Sequence, residues 1–461
     1  MSALTTTGRL IAGAVVTAAA VVIGIGAVLA PLPGHARDAV TVAAQPSATT
    51  SVATCAGPVL ATARDSAQAA LLSDAAAQAV TASEAAGSAR RLAAPDVADG
   101  TGPASFRAAP TGDEPTDIAA AGSSALEADD LRGFAASACT RAAMESWLVG
   151  GAGTTGAADL VVLANPGDVA AQVTITVYGA TGPVVPTAGD GIVVAAGTQR
   201  VIPLASLALG EESPVLRITA AEAPVQASLQ ASLTRVLTPG GVDQVGASVV
   251  PGSRIVIPGV PVTSAPGEAG DSNVPTLLRL LAPAAAATAT VTVYRGGAVV
   301  GSPQTVPLLA GVPLQLDLAG LDIGLYTVVV EATAPVTGAV WATSGFGAGS
   351  DFGWFAAAGA LTAASLVAVA DGANPVLTLF SDGDAQTVTV RAESGSAIEV
   401  AVPAGGAATV PVEQGVVYRI EPADGAGPIR AAVTYGADGA IAGYPVAAGD
   451  AAAAGFTVYP R

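Results

Sequence analysis

Nucleophilic catalysis needs an imidazole, an amine or a second acid beside the reacting atom, and this chain is short of the first two. It holds one His, His35, in the segment that flanks its apolar N-terminal run, and no Lys, which removes Ser-His-Asp, Cys-His and Ser-Lys arrangements. Carboxylates remain. Asp317, Asp322, Asp351, Asp382 and Asp384 are the candidates for a two-acid site of the kind that cleaves glycosidic bonds. Asp382-Gly-Asp384, however, lies between two strand patterns and reads as a hairpin turn. As a calcium loop it lacks the later oxygen ligands and the closing Glu. Gly151-Ala-Gly-Thr-Thr-Gly156 precedes a strand and is not followed by Gly-Lys, so it reads as turn chemistry and not as a phosphate loop. The expectation is a chain that is not an enzyme, with no catalytic residue, no cofactor and no metal site.

Two other groups of side chains can do something. Trp341, Phe346, Phe352, Trp354 and Phe355 gather aromatic rings in a chain where they make up only 4% of residues, so the gathering is local and specific. Planar rings can stack on sugars or on a protein partner, which makes these five a candidate binding surface. The plainer alternative is that they fill a core and a junction between domains. Cys55 and Cys139 are the only cysteines. Both follow the N-terminal apolar run, where export to an oxidising compartment permits a disulfide between them, worth on the order of 4 kcal/mol in a loop of this length.

Charge narrows the partners. Thirty-six acidic against 18 basic residues give a net charge of −18, and Arg90-Arg91 is the only basic pair. A phosphate backbone would be repelled, so nucleic acid is not an expected partner. The acidic surface serves solvation.

The elements that must position these residues show themselves as an echo. Asp130 with Gly133, Asp243 with Gly246, Asp351 with Gly353, and Asp438 with Gly443 each precede an apolar strand pattern, at intervals suited to one small all-β domain per copy. Val173-Thr-Ile-Thr-Val-Tyr178, Val291-Thr-Val-Tyr294 and Val388-Thr-Val-Arg391 alternate apolar and Thr positions as half-buried strands do. Further along each copy, Ala223-Pro224, Ala334-Pro335 and Gly427-Pro428 mark turns between strands. About seven short strands per unit indicate a mainly β chain of tandem immunoglobulin-like β-sandwich modules. The units are 51–146, degenerate and Ala-rich, then 147–252, 253–362 and 363–461. A closed β-propeller-like ring is the alternative, in which Phe456 to Tyr459 would complete the first blade.

Ahead of the array, residues 1–37 carry the uncharged run Leu10 to Leu32, roughly 34 Å long as a helix and sufficient to cross a bilayer core of about 30 Å. It reads as a single N-terminal transmembrane helix with Arg9 on its inner flank. Cleavage after Gly34-His35-Ala36 is the competing reading, and would make the protein secreted. Residues 38–50, rich in Ala, Thr and Ser, form a disordered tether.

Several segments together support a resemblance: the membrane segment, the Cys55-Ala-Gly-Pro58 start, Met144-Glu-Ser-Trp-Leu-Val-Gly-Gly151, and the turn Ala164-Asn-Pro166. Over residues 50 to 461 the chain resembles an actinobacterial family of uncharacterised membrane-anchored extracellular proteins with tandem immunoglobulin-like modules. The resemblance implies no catalytic residue. The expected function is a noncatalytic, membrane-anchored protein of the bacterial cell envelope, extracellular beyond its helix, with a binding or spacing role. Its partners would be the membrane and a cell-wall polymer or an envelope protein. The rival readings are a cell-wall glycan-binding protein or accessory of a glycan-acting enzyme, and a subunit of a membrane complex.

Overall fold

The computed structural model describes residues 3–29, 41–44, 47–62, 71–98, 101–264, 276–437, 439–449 and 456–458. His35, the Gly34-His35-Ala36 sequence and Asp438 lie outside them. Two units result, residues 1–47 with 453–461, and residues 48–452.

In the first unit α1 (Ala3–Leu29) is built from Ala, Val, Ile, Leu and Gly without an internal Pro. Thr7–Gly26 within it is 20 residues long with mean hydropathy 2.0, which suffices to cross a membrane or to serve as a signal sequence. The short strand Phe456–Val458 pairs antiparallel with Val42–Ala44, and is not part of any sheet of the second unit.

The second unit is mainly β, as the alternation predicts. In Ala171–Gly179, Val173 and Ile175 are fully buried while Gln172 is exposed and Thr174 half-buried, because successive strand residues face opposite sides. Four sheets recur along the chain. The first holds β1 (Ala79–Ala82), β2 (Ala120–Glu127) and β3 (Arg132–Ala138) in that order. The second contains β4 (Leu160–Asn165), β5 (Thr198–Pro203), β6 (Gln226–Arg235) and β7 (Thr238–Gly246), with β7 at its edge. The third is made of β8 (Thr276–Leu281), β9 (Leu314–Asp317), the C-terminal half of β10 (Gly324–Thr343), and β11 (Phe352–Ala356). The fourth has β12 (Val376–Ser381), β13 (Ala407–Pro411), β14 (Ile429–Ala437) and, again at its edge, β15 (Ala440–Pro445).

Outer sheets cover the second, third and fourth of these. Around the second lie Glu145–Val149, Val215–Ala221 and Ala171–Gly179. Around the third are Gly252–Val262, the N-terminal half of β10, Ala287–Arg295 and Ala298–Leu308, and around the fourth Ser365–Ala368, Val417–Glu421, Gln386–Ala392 and Ala397–Val402. These are sandwich-like modules. The Asp382-Gly-Asp384 turn expected to close a hairpin instead carries the chain from β12 to Gln386–Ala392, a strand of the opposite sheet.

The four edge strands meet. β3 packs against β7 and β15, and β11 against the same two, which closes a circuit of four strands without forming a hydrogen-bonded barrel. Packing crosses each of the expected limits near 146, 252 and 362. Ala121, Phe134 and Ala136 share a core with Leu377, Val433 and Tyr435, and Leu126 and Ala135 share one with Val242. Phe352 and Trp354 enter the core of the second sandwich, and Ile441 that of the third. Outside the circuit, Arg90–Ala93 joins β5 through Ala93, and the Cys55–Cys139 disulfide ties the start of the first module to the residue that follows β3. The small core around that bridge is mostly Ala, which buries little area per residue and makes a covalent tie the more useful.

At the centre of the circuit sits Asp351, fully buried. Its Oδ2 accepts from the N–H of Phe134 in β3 at 2.9 Å and of Ile441 in β15 at 3.0 Å, and its Oδ1 from that of Val242 in β7 at 3.2 Å. The N–H of Phe352, which opens β11, also bonds it. One carboxylate thus collects a main-chain donor from every edge strand. Gly133 and Gly241 permit the approach: a Cβ on either would lie 2.5 to 2.6 Å from Oδ1, and both adopt positive φ. Burial raises the acid to about 7, with the four N–H groups opposing it.

That shift sets a pH dependence. The folded-state acidity lies above the unfolded value near 3.8, so the stability linked to Asp351 is full below about pH 4 and is lost as pH rises towards and through 7. Its size is on the order of 4 kcal/mol. Asp159, raised to about 6, and Asp243, also raised by burial, act in the same sense. Thermal melts of the protein are expected to give a higher Tm at pH 5 than at pH 8. Asp351→Asn, which sets amide donors against N–H donors, should cost at least about 3 kcal/mol at pH 5 and flatten the dependence. An unchanged pH profile in that variant would refute the assignment.

A candidate binding cavity between the second and third sandwiches

Alternation along β11 sends Phe352 and Trp354 to one face and Phe355 to the other. Trp354 stands opposite Trp341 of β10 in register, which places two indoles side by side. They line a cavity of about 170 Å³ whose other walls include Gly151, Asp159, Leu277, Arg279 and Gln315. Ala157, Ser232 and Leu233 also border it.

Its polar side is built by two lone charges in apolar strands. Arg279 interrupts Thr276-Leu-Leu-Arg-Leu-Leu281, and Asp159 immediately precedes Leu160-Val-Val-Leu163. Arg279 is 2% exposed. Its Nη1 donates to Gly151 O at 2.8 Å and Pro214 O at 2.9 Å, and its Nη2 to Glu212 O at 3.2 Å and Gln315 Oε1 at 3.0 Å. The guanidinium lies over the Trp354 ring, 4.5 Å from its centroid. Its Nε is buried with no hydrogen-bond partner. Asp159 accepts from Ser232 N at 2.8 Å and Ala152 N at 2.7 Å, one bond to each oxygen. Burial lowers Arg279 to about 9, opposed by the charge of Asp159. Burial raises Asp159 to about 6, opposed first by the two N–H groups and then by Arg279.

Of the five aromatics expected to form a surface, four come together. Trp341 lies 6.2 Å, centroid to centroid, from both Phe346 and Phe352, and Trp354 is its strand neighbour. Trp341 and Phe346 are partly exposed, whereas Phe352 and Trp354 are buried. Arg235 covers Phe346 at 4.9 Å. Phe355 packs into the third sandwich's core beside Ile441 and takes no part. The cluster is thus divided between half-buried rings and rings packed into cores. Asp159, Arg279 and Gln315 were not singled out by sequence reasoning. A single charge inside a run of Leu or Val was the available signal, since such residues are rarely buried without a specific role.

The carboxylates weighed as a catalytic pair do not converge. Asp351 is at the axis, and Asp317, Asp322 and Asp384 are exposed. Asp382 receives Arg430 at 2.7 Å and Arg254 at 3.3 Å, a bridge between the third and fourth modules. The glycine-rich Gly151–Gly156 turn supplies the cavity with a carbonyl for Arg279 and the Ala152 N–H for Asp159. Among the described residues no cluster of three or more His, Cys, Asp or Glu could hold a metal ion.

Residues 92–416 match the model of a family described as a family of unknown function, DUF5719. None of the curated proteins matches the chain. Among solved structures, it is similar to a biofilm-associated protein's BSP domain at 13% identity and a TM-score of 0.13, covering 82% of this chain and 67% of that one. It is also similar to a tetra-tandem repeat in the extending region of a large adhesion protein, at 14% identity and a TM-score of 0.11, covering 82% and 92%.

The role of Arg279 in holding the cavity is open to test. Arg279→Ala leaves four acceptors from three segments without their donor, and should destabilise the protein by about 3 kcal/mol or more in denaturant unfolding. Trp354 would lose its stacked cation, so its fluorescence should change even where folding is complete. A variant with unaltered midpoint and emission would show that the guanidinium does not organise the site.

Proposed function

The chain belongs to the DUF5719 family of unknown function, and we propose on that footing that it is a noncatalytic, membrane-anchored protein displayed outside the bacterial cell, with a binding or spacing role. The observation that carries this reading is the division of labour among its reactive side chains. Carboxylates that could serve as acids are committed to main-chain N–H groups or arginines that join the modules, as with the buried Asp351 and Asp243 and the half-buried Asp382. The aromatic rings, in contrast, border an open cavity. The apolar α1 and the Cys55–Cys139 bridge support export and anchoring, because a disulfide persists in an oxidising compartment and a 20-residue apolar helix matches the bilayer core. A wall polymer or an envelope protein is the partner class that fits, and an actinobacterial source agrees with the all-Arg basic composition.

Two measurements check this reading. Membranes washed with carbonate should retain the protein with its N-terminal helix uncleaved, and protease added to intact cells should remove the region beyond residue 47. Incubation with purified wall polymer should give retention without release of soluble fragments. Fragment release that tracks the protein through purification would overturn the noncatalytic assignment, and a mature form starting near residue 37 would overturn the anchor.

A further inference from the structure

We propose that the cavity between the second and third sandwiches is a carbohydrate subsite that seats one neutral pyranose unit, with a C–H face against Trp341 and hydroxyls towards Asp159 and Gln315. The inference deepens the binding role proposed above and rests on it.

Four observations carry it. The first is size. At about 170 Å³ the space is below the usual 300–1,000 Å³ of a pocket for a drug-sized ligand and suits a single ring. The second is the wall. Trp341 presents a partly exposed indole at the mouth, while Phe352 and Trp354 form an apolar back, a surface that suits the axial C–H groups of a sugar as it suits any flat apolar face.

The third is acceptor capacity. Asp159 accepts one N–H on each oxygen and Gln315 Oε1 accepts one, so each retains acceptor capacity for an incoming hydroxyl. A polyol supplies several donors to these oxygens, whereas a Phe side chain supplies none and a Tyr side chain only one hydroxyl. The fourth is charge. Arg279 and Asp159 lie on the same wall, so an anionic ligand meets the carboxylate and a cationic one the guanidinium. The chain's net charge of −18 further repels acidic polymers.

The test uses the full chain in detergent micelles and its tryptophan emission, since two of its three tryptophans line the cavity. Glucose, mannose and N-acetylglucosamine hexamers are titrated separately, and a Tyr-rich peptide serves as the competing ligand class. At least one oligosaccharide should give a saturable change at or below about 1 mM, the weak end of specific binding. Trp341→Ala should weaken that binding at least tenfold. Ala157→Phe, which fills the mouth from a partly exposed position, should abolish it while leaving the melting temperature unchanged. Failure of all three sugars, undiminished binding by Ala157→Phe, or saturable binding of the peptide alone would each overturn the subsite. Those results would leave the anchored binding role standing if wall polymer is still retained, whereas release of sugar fragments would remove the noncatalytic role and not the subsite.

Discussion

A buried carboxylate that accepts one main-chain N–H from each of four edge strands is the constraint on which the rest of this protein depends. Asp351 lies in the third module, and its three longest-range donors come from positions as far apart in sequence as Phe134 and Ile441. The edge of a β-sheet normally exposes unpaired N–H and C=O groups that invite association. Here four such edges converge, and part of their donor capacity is spent on a single acid in the middle. The neighbouring Asp243 repeats the device on a smaller scale, accepting Trp354 N at 2.7 Å from the next strand around and Gln244 N at 2.8 Å from its own. Main-chain N–H groups oppose the shift at both carboxylates, but desolvation dominates both and raises both.

The side-chain inventory explains why the modules lean on one another. Much of the apolar content is Ala, which removes far less area from water than Leu or Ile. The first module is the extreme case: its own cluster consists mainly of Ala53, Ala86, Ala104 and Ala120 around the disulfide, with Phe106 the one large ring. Its inner sheet gains burial by lending Phe134 to the fourth module, where the ring packs edge-on against Tyr435 at 5.3 Å. Polar ties follow the same logic. Gln230 of β6 exchanges two hydrogen bonds with the main chain of Leu60, at 2.7 and 2.8 Å, and Gln244 reaches Gly57 O at 2.8 Å. Each glutamine serves a backbone segment that would otherwise be buried without partners.

The strands were legible because their cause is local. Val173 and Ile175 alternate with polar residues, and the pleat translates that alternation into burial without reference to anything distant. The Asp and Gly echo was legible as well, but its meaning was not. The three described aspartates are not equivalent: Asp130 lies four residues before the N–H donor of its strand and is exposed, Asp351 lies one before, and Asp243 one after. The repeated element is the edge strand, and the acids near it took up separate tasks once the strands met. Nothing in a linear pattern states that one carboxylate will satisfy four strands, because the donors are main-chain groups that every residue carries. The aromatic cluster divided for a simpler reason. Phe352, Trp354 and Phe355 are adjacent in sequence, and a two-residue period must send Phe355 to the opposite face.

The axis and the cavity are one construction. Trp354, whose ring backs the cavity and carries Arg279, is fixed through its N–H by Asp243. Phe352, the other buried ring, bonds Asp351 through its own N–H. The two rings therefore take their positions from the carboxylates that hold the edge strands together. Trp341, which belongs to β10, reaches the same wall by register with Trp354. Arg279 then ties this wall to the second module through Gly151 O, Glu212 O and Pro214 O. A cavity fixed on both sides by main-chain hydrogen bonds is preorganised: the side chains facing it need little reordering, and less of the free energy of binding is lost to that reordering. The same coupling runs in reverse, since a ligand that bonds Asp159 of the second module and contacts Trp341 of the third favours the arrangement in which the two sandwiches are docked.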